Sequence, residues 1–149
     1  MKSGHEKMSA VDAAWLRMDS ATQRMVITAA FHFAEPLGLA EVMALLHERV
    51  LVHRRFRQRA VEPVAHGPIG PLGTPHWEEV PDLHPGDHVH ELSLPDDADD
   101  AALAEVLSEL ASAPLDRTRP LWTLHLIHGH GAGTVLVVRL HHAIGDGVT

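Results

Sequence analysis

The segment His141-His142-Ala143-Ile144-Gly145-Asp146-Gly147 packs two imidazoles, a carboxylate and two glycines into seven residues. With 14 histidines among 149 residues, the pattern His-His-x-x-x-Asp-Gly would arise by chance about 0.006 times in this chain. An unperturbed imidazole titrates at about 6.5, so its neutral form can accept a proton at physiological pH. The chemistry offered is therefore general-base catalysis, with one histidine facing a cleft while its neighbour packs. Adjacent strand residues point to opposite faces, so the two rings separate unless the strand ends between them. Asp146 is placed to brace the turn through an arginine, with Arg139 the near candidate and Arg24 a more distant one. The bland alternative is two satisfied histidines at a strand end, followed by an Asp-Gly turn.

Other chemistries find little to work with. His125, His128 and His130 lie on or near one predicted hairpin, and His84, His88 and His90 in a long loop. Zinc needs three or four convergent ligands, whereas His128 and His130 straddle a turn and no His-Glu-x-x-His is present, so no metal is expected. The chain has no cysteine, which removes thiol nucleophiles, disulfides and zinc–cysteine sites. No Gly-x-Ser-x-Gly or phosphate-binding loop occurs. The contiguous acids Asp96, Asp97, Asp99 and Asp100 do not form a separated glycosidase pair.

The elements that must position the histidines can be read from periodicity. Residues 134–141 form the most strand-like segment and lead directly into the motif, and residues 122–127 form its partner. Gly129, Gly131 and Gly133 supply the turn between them. Ser9 and Asp12 open a helix over residues 9–18, with Trp15 near its apolar side. Residues 25–33 alternate with apolar residues on both sides, which predicts a strand covered on both faces. Leu39, Val42, Met43, Leu46 and Val50 mark a helix over residues 39–52. Arg49, Arg54, Arg55, Arg57 and Arg59 follow, and the alternation of residues 55–61 predicts a strand with one solvated basic face, suited to anionic lipid or phosphate. Residues 62–95, rich in proline, glycine and histidine, read as a long loop with short strands near residues 76–80 and 88–92. A helix then runs to about residue 112, its buried stripe made by Leu103, Val106, Leu107 and Leu110. This order indicates an α+β or mixed α/β domain.

The composition bounds the rest. A net charge of −8 argues against nucleic-acid binding. The first residues lack an apolar stretch of signal-peptide length, and the longest clean apolar run, residues 135–138, is far too short to span a bilayer. Apolar and glycine residues are still arriving at Thr149, so the expectation is the N-terminal piece of a longer protein.

These motifs resemble a known family. HHAIGDG resembles the HHxxxDG motif of acyl-CoA-dependent acyltransferases with a chloramphenicol-acetyltransferase-like fold, a superfamily that includes peptide-synthetase condensation domains. Pro114-Leu115 followed by Pro120-Leu121-Trp122 resembles the PLxxxxPLW motif of the bacterial wax ester synthase/diacylglycerol acyltransferase family. Ser9, Asp12, Trp15 and Leu16 resemble that family's opening, S-x-x-D-x-x-F/W-L. The resemblance implies an α/β (α+β sandwich) fold in which residues 1–149 form the N-terminal part of the first of two acyltransferase halves. It implies acyl transfer from a fatty acyl-CoA to diacylglycerol or a long-chain alcohol, with acyl-CoA as co-substrate and no cofactor. His142 would then be the general base and His141 its support. Asp146 would be structural, Gly147 would permit close packing, and Trp122 with Pro120 and Leu121 would shape the pocket wall or the core. A second polypeptide or further C-terminal portion would complete the enzyme, which would be cytoplasmic and peripherally associated with a membrane or lipid-droplet surface. The rival readings are a condensation-type or polyketide-associated acyltransferase, which should lack the PLW segment, and a non-catalytic lipid- or partner-binding domain.

Overall fold

The computed structural model describes residues 5–64, 66–68, 70–71 and 73–145. In chain order the elements are β1 (His5–Lys7), α1 (Ala10–Met18), β2 (Val26–Phe33), α2 (Leu39–Leu45), β3 (Gln58–Val61), β4 (His66–Gly67), β5 (Gly70–Pro71), β6 (His76–Glu79), β7 (Val89–Ser93), α3 (Asp100–Ser112), β8 (Trp122–His128), β9 (Thr134–His141) and α4 (His142–Gly145). A π-helical turn, Leu46–Val50, extends α2, so the predicted helix is continuous but changes its winding part-way.

The caps follow from local sequence. Ser9 Oγ accepts the Asp12 N–H at 3.0 Å to start α1, and Asp99 Oδ1 accepts the Ala102 N–H at 2.9 Å to start α3. Glu41 reaches back to the Gly38 N–H at 2.9 Å at the head of α2.

The central sheet has the order β2-β9-β8-β7. Strands β8 and β9 form the predicted hairpin, and β7 joins β8 in parallel through the α3 crossover. Period two sorts β8 and β9 onto two faces. Trp122, Leu124, Leu126, Leu136 and Leu140 join the core built with Val42 and Leu46 of the α2 segment. Ile127, Val135 and Val137 instead pack with Leu103, Val106, Leu107 and Leu110 of α3. A second sheet, β1-β6-β3, carries Trp77, which is fully buried.

Two expectations need correction. Among the described residues β2 is an edge strand, paired only with β9, and Ile27, Phe31 and Phe33 are more than 40% exposed rather than covered. Two-sided apolar alternation does not distinguish an edge from a centre. The β8–β9 hairpin occupies the middle of the sheet, so the exposed edges are β2 and β7. The predicted basic strand is a 3₁₀ turn, Arg54–Arg57, followed by β3. Its arginines are paired: Arg54 and Arg57 with Glu79, Arg55 with Glu6, and Arg59 with Glu78. The acids of the neighbouring strands β1 and β6 neutralise a face that linear sequence shows as basic.

Candidate active site

Strand β9 ends between the two histidines, so their environments differ by secondary structure. His141 is the last residue of β9 and is buried; His142 opens α4 and is half-buried. Their backbone is clamped from both neighbouring strands. The His141 N–H donates to the Leu121 carbonyl at 3.0 Å, and the His142 N–H donates to the Met25 carbonyl at 2.8 Å. Each clamp is itself held. The Met25 N–H donates to Asp19 Oδ1 at 3.0 Å, and Arg117 pairs with the same carboxylate at 3.3 Å. Arg117 also donates to the Leu16 carbonyl at 2.8 Å, tying the segment before Pro120 to the end of α1.

His141 Nδ1 accepts the Ala143 N–H at 3.1 Å, which caps the first turn of α4 and leaves the ring proton on Nε2. Burial pushes its pKa down to about 4, against the opposing attraction of Asp19, so it is neutral at physiological pH. This ring is a structural acceptor. The His142 ring lies against the Trp15 indole, with centroids 4.8 Å apart and planes 22° from parallel. Among the described residues, no hydrogen-bond partner meets its ring nitrogens. Stacking uses the face of the imidazole and leaves the in-plane lone pair available.

Pro120, Leu121 and Trp122 are buried beside this point. Trp122 donates from Nε1 to the Phe56 carbonyl at 2.9 Å, and its own carbonyl accepts from His88 Nδ1 at 2.8 Å. The His88 ring stacks on the indole at 4.4 Å. Trp122 and Leu140, with Leu124, Leu136 and Val138, floor an apolar cavity of about 350 Å³ beneath Val42 and Leu46. The PLW segment thus supplies both a wall and, through Leu121, a backbone clamp.

Asp146 and Gly147 lie outside the described residues. Arg139, offered as a brace for Asp146, is buried and donates to the Ala113 carbonyl at the end of α3; Arg24 donates to the adjacent Ser112 carbonyl at 3.3 Å. Both cations sit where a helix C-terminus attracts positive charge.

The three histidines on and beside the β8–β9 hairpin each meet a polar partner. His125 meets Thr123 Oγ1, His128 meets Glu91 and Thr134, and His130 meets Asp100. Among the described residues, no three His, Asp or Glu side chains converge as a metal site.

The Trp15 stack, the Met25 clamp and the Arg117–Asp19 tie are contacts that sequence reading did not find. Only the Ser9–Leu16 opening hinted that α1 mattered, and it gave no role for Trp15.

A sheet with α2 packed on one face and α3 on the other, and a histidine pair at the end of an inner strand, has the chloramphenicol-acetyltransferase-like fold. Residues 8–149 match the model of the wax ester synthase/diacylglycerol acyltransferase catalytic domain, and the chain belongs to that family. It is 29% identical over 147 residues to "Probable diacyglycerol O-acyltransferase tgs3" of Mycobacterium tuberculosis, covering 96% of this chain and 52% of the relative. The solved wax ester synthase/diacylglycerol acyltransferase of Marinobacter aquaeolei VT8 superposes with a TM-score of 0.71 at 26% identity, over 95% of this chain and 35% of that one. The starter condensation domain of rhizomide synthetase RzmA shares the fold, with a TM-score of 0.69 at 20% identity over 95% of this chain and 34% of that domain. The chain therefore spans about half the length of the curated relative and a third of the solved structures.

Proposed function

We propose that this chain contributes the general base to an O-acyltransferase that moves a long-chain acyl group from acyl-CoA to diacylglycerol or a long-chain alcohol. The observation that carries the reading is the contrast between the two histidines, one buried as an acceptor for α4 and one stacked with its nitrogens unengaged by described residues. In the reaction, a ring nitrogen of His142 takes the hydroxyl proton as the oxygen attacks the thioester carbonyl. The new C–O bond forms, the C–S bond breaks, and the proton passes from the imidazolium to the departing thiolate. No acyl-enzyme is required, which suits a chain without cysteine. General-base transfer of this kind contributes about 10²–10⁴-fold. The rest comes from positioning and an oxyanion donor, which we place in the further portion that completes the enzyme.

The apolar cavity beside Leu140 fits a lipid-handling site better than a carrier-protein site, and the PLW segment favours this reading over a condensation domain. No described helix is long and apolar enough to cross a membrane. Contact with a lipid surface from the cytoplasm remains part of the proposal, but the paired arginines 54–59 are not its natural carrier.

The test is coenzyme A release. The full-length enzyme containing this chain is given palmitoyl-CoA with hexadecanol or dipalmitoylglycerol, beside His142→Ala. Alcohol-dependent release that falls at least about 100-fold in the variant supports the reading. Absence of release from the folded wild-type enzyme rejects this substrate class.

A further inference from the structure

We propose that Trp15 is a positioning residue for the base, its indole acting as a platform that fixes the plane of the His142 imidazole. The inference rests on the reading of His142 as the proton acceptor. Three observations carry it. First, the rings are nearly parallel at 4.8 Å, an offset stack rather than an edge contact. Second, Trp15 lies on α1, whose closest helical neighbour is α4, so the platform and the base belong to two packed elements. Third, His142 is the first residue of α4, with β9 ending at His141, so no preceding turn of its own helix packs against the ring.

The chemistry requires such a device. A general base works through an in-plane lone pair aimed at the hydroxyl proton. The backbone clamps at Leu121 and Met25 fix where the histidine starts but not the rotation of its ring. A hydrogen bond to either nitrogen would fix that rotation, yet no described residue supplies one. Stacking fixes the ring plane without occupying a nitrogen, and it also shields one face from water. Trp15 itself is anchored because Ala13 and Leu16 beside it are buried and Arg117 holds the Leu16 carbonyl. Trp15 also packs against the main core, and the stack adds to that packing the orientation of the base.

The experiment compares Trp15→Phe, which keeps an aromatic face, with Trp15→Leu, which keeps apolar bulk without one. Both are made in the full-length enzyme and checked for an unchanged thermal midpoint. Trp15→Leu is expected to lower kcat about 10- to 100-fold with KM for acyl-CoA within about twofold, and Trp15→Phe to stay within about threefold of wild type. Proton NMR supplies the independent readout. The His142 ring protons, assigned by their loss in His142→Ala, should be shielded by the indole in wild type, retain part of that shielding in Trp15→Phe and lose it in Trp15→Leu. Equal kcat in wild type and Trp15→Leu overturns the inference while leaving the acyltransferase reading intact, as does unshielded His142 in wild type. A folded wild-type enzyme with no transfer activity overturns both.

Discussion

At the scale of single residues, the site divides its labour by burial. His141 is closed off from water and pushed down to about 4, so its neutral ring serves as a fixed acceptor for the Ala143 N–H. His142, one residue later, is half-buried and has left the strand. The same imidazole chemistry is thus set in two different environments because β9 ends between the two residues. This argues for a pair of substitutions at the buried position. Asparagine can offer its Oδ1 close to where His141 Nδ1 now sits, whereas leucine leaves the Ala143 N–H buried without an acceptor. His141→Leu is expected to lower unfolding stability by about 1–3 kcal/mol, and His141→Asn by less than about half as much, read from urea midpoints. Coenzyme A release should follow the same order, since α4 carries the proposed base. If leucine and asparagine destabilise equally, the capping role of His141 is wrong.

At the scale of elements, the β8–β9 hairpin carries the site, and its turn is sterically exacting. Gly129 has φ +88° and Gly131 φ +70°, both in the left-handed region. At Gly133 a Cβ would lie 1.8 Å from the Phe33 carbonyl oxygen, which is backbone and cannot step aside. Gly133→Ala should therefore push β2 away from β9 and cost about 1–3 kcal/mol, visible as a lower thermal midpoint and faster exchange of the β2 amides. A midpoint unchanged from wild type would contradict the close approach. The strands of this hairpin were legible in sequence because the alternation of residues 122–128 and 134–141 matches two differently covered faces. The stripe of α3 and the cap at Ser9 were legible for similar local reasons. The edge position of β2 was not, since pairing on one side leaves no trace in a segment's own alternation. Nor was the neutralised arginine segment, because Glu6, Glu78 and Glu79 come from strands far away in sequence. The same limit hid half of the site. His142 was found from its motif, but Trp15, Met25 and Asp19 reach it only through tertiary packing.

At the scale of the whole molecule, buried neutral histidines set an acid sensitivity that begins well above the carboxylate range. His141 and His125 are both held at about 4, chiefly by burial, and His125 is further depressed by His90 and Arg139. His88 is lowered as well, again chiefly by burial. In the unfolded chain these rings titrate at about 6.5. Between pH 6.5 and 4 the unfolded state therefore binds more protons than the folded state, and stability must fall as pH falls through that window. Above pH 6.5 both states are neutral at these positions and the contribution is constant. The carboxylates act later. Glu78 and Glu79 are lowered chiefly by hydrogen bonds from Arg59 and Arg54, so their contribution is present above the ordinary glutamate pKa and is lost only as pH drops through their depressed values. Urea unfolding at a series of pH values should show a plateau above about 7. Below 6.5 it should decline, each buried histidine adding up to about 1.4 kcal/mol per pH unit. His125→Leu removes one titrating ring without touching the proposed base, and should make the slope between pH 6 and 5 shallower by about one proton. A wild-type curve that stays flat from pH 7 to 5 would show that these rings are not held neutral in the folded protein.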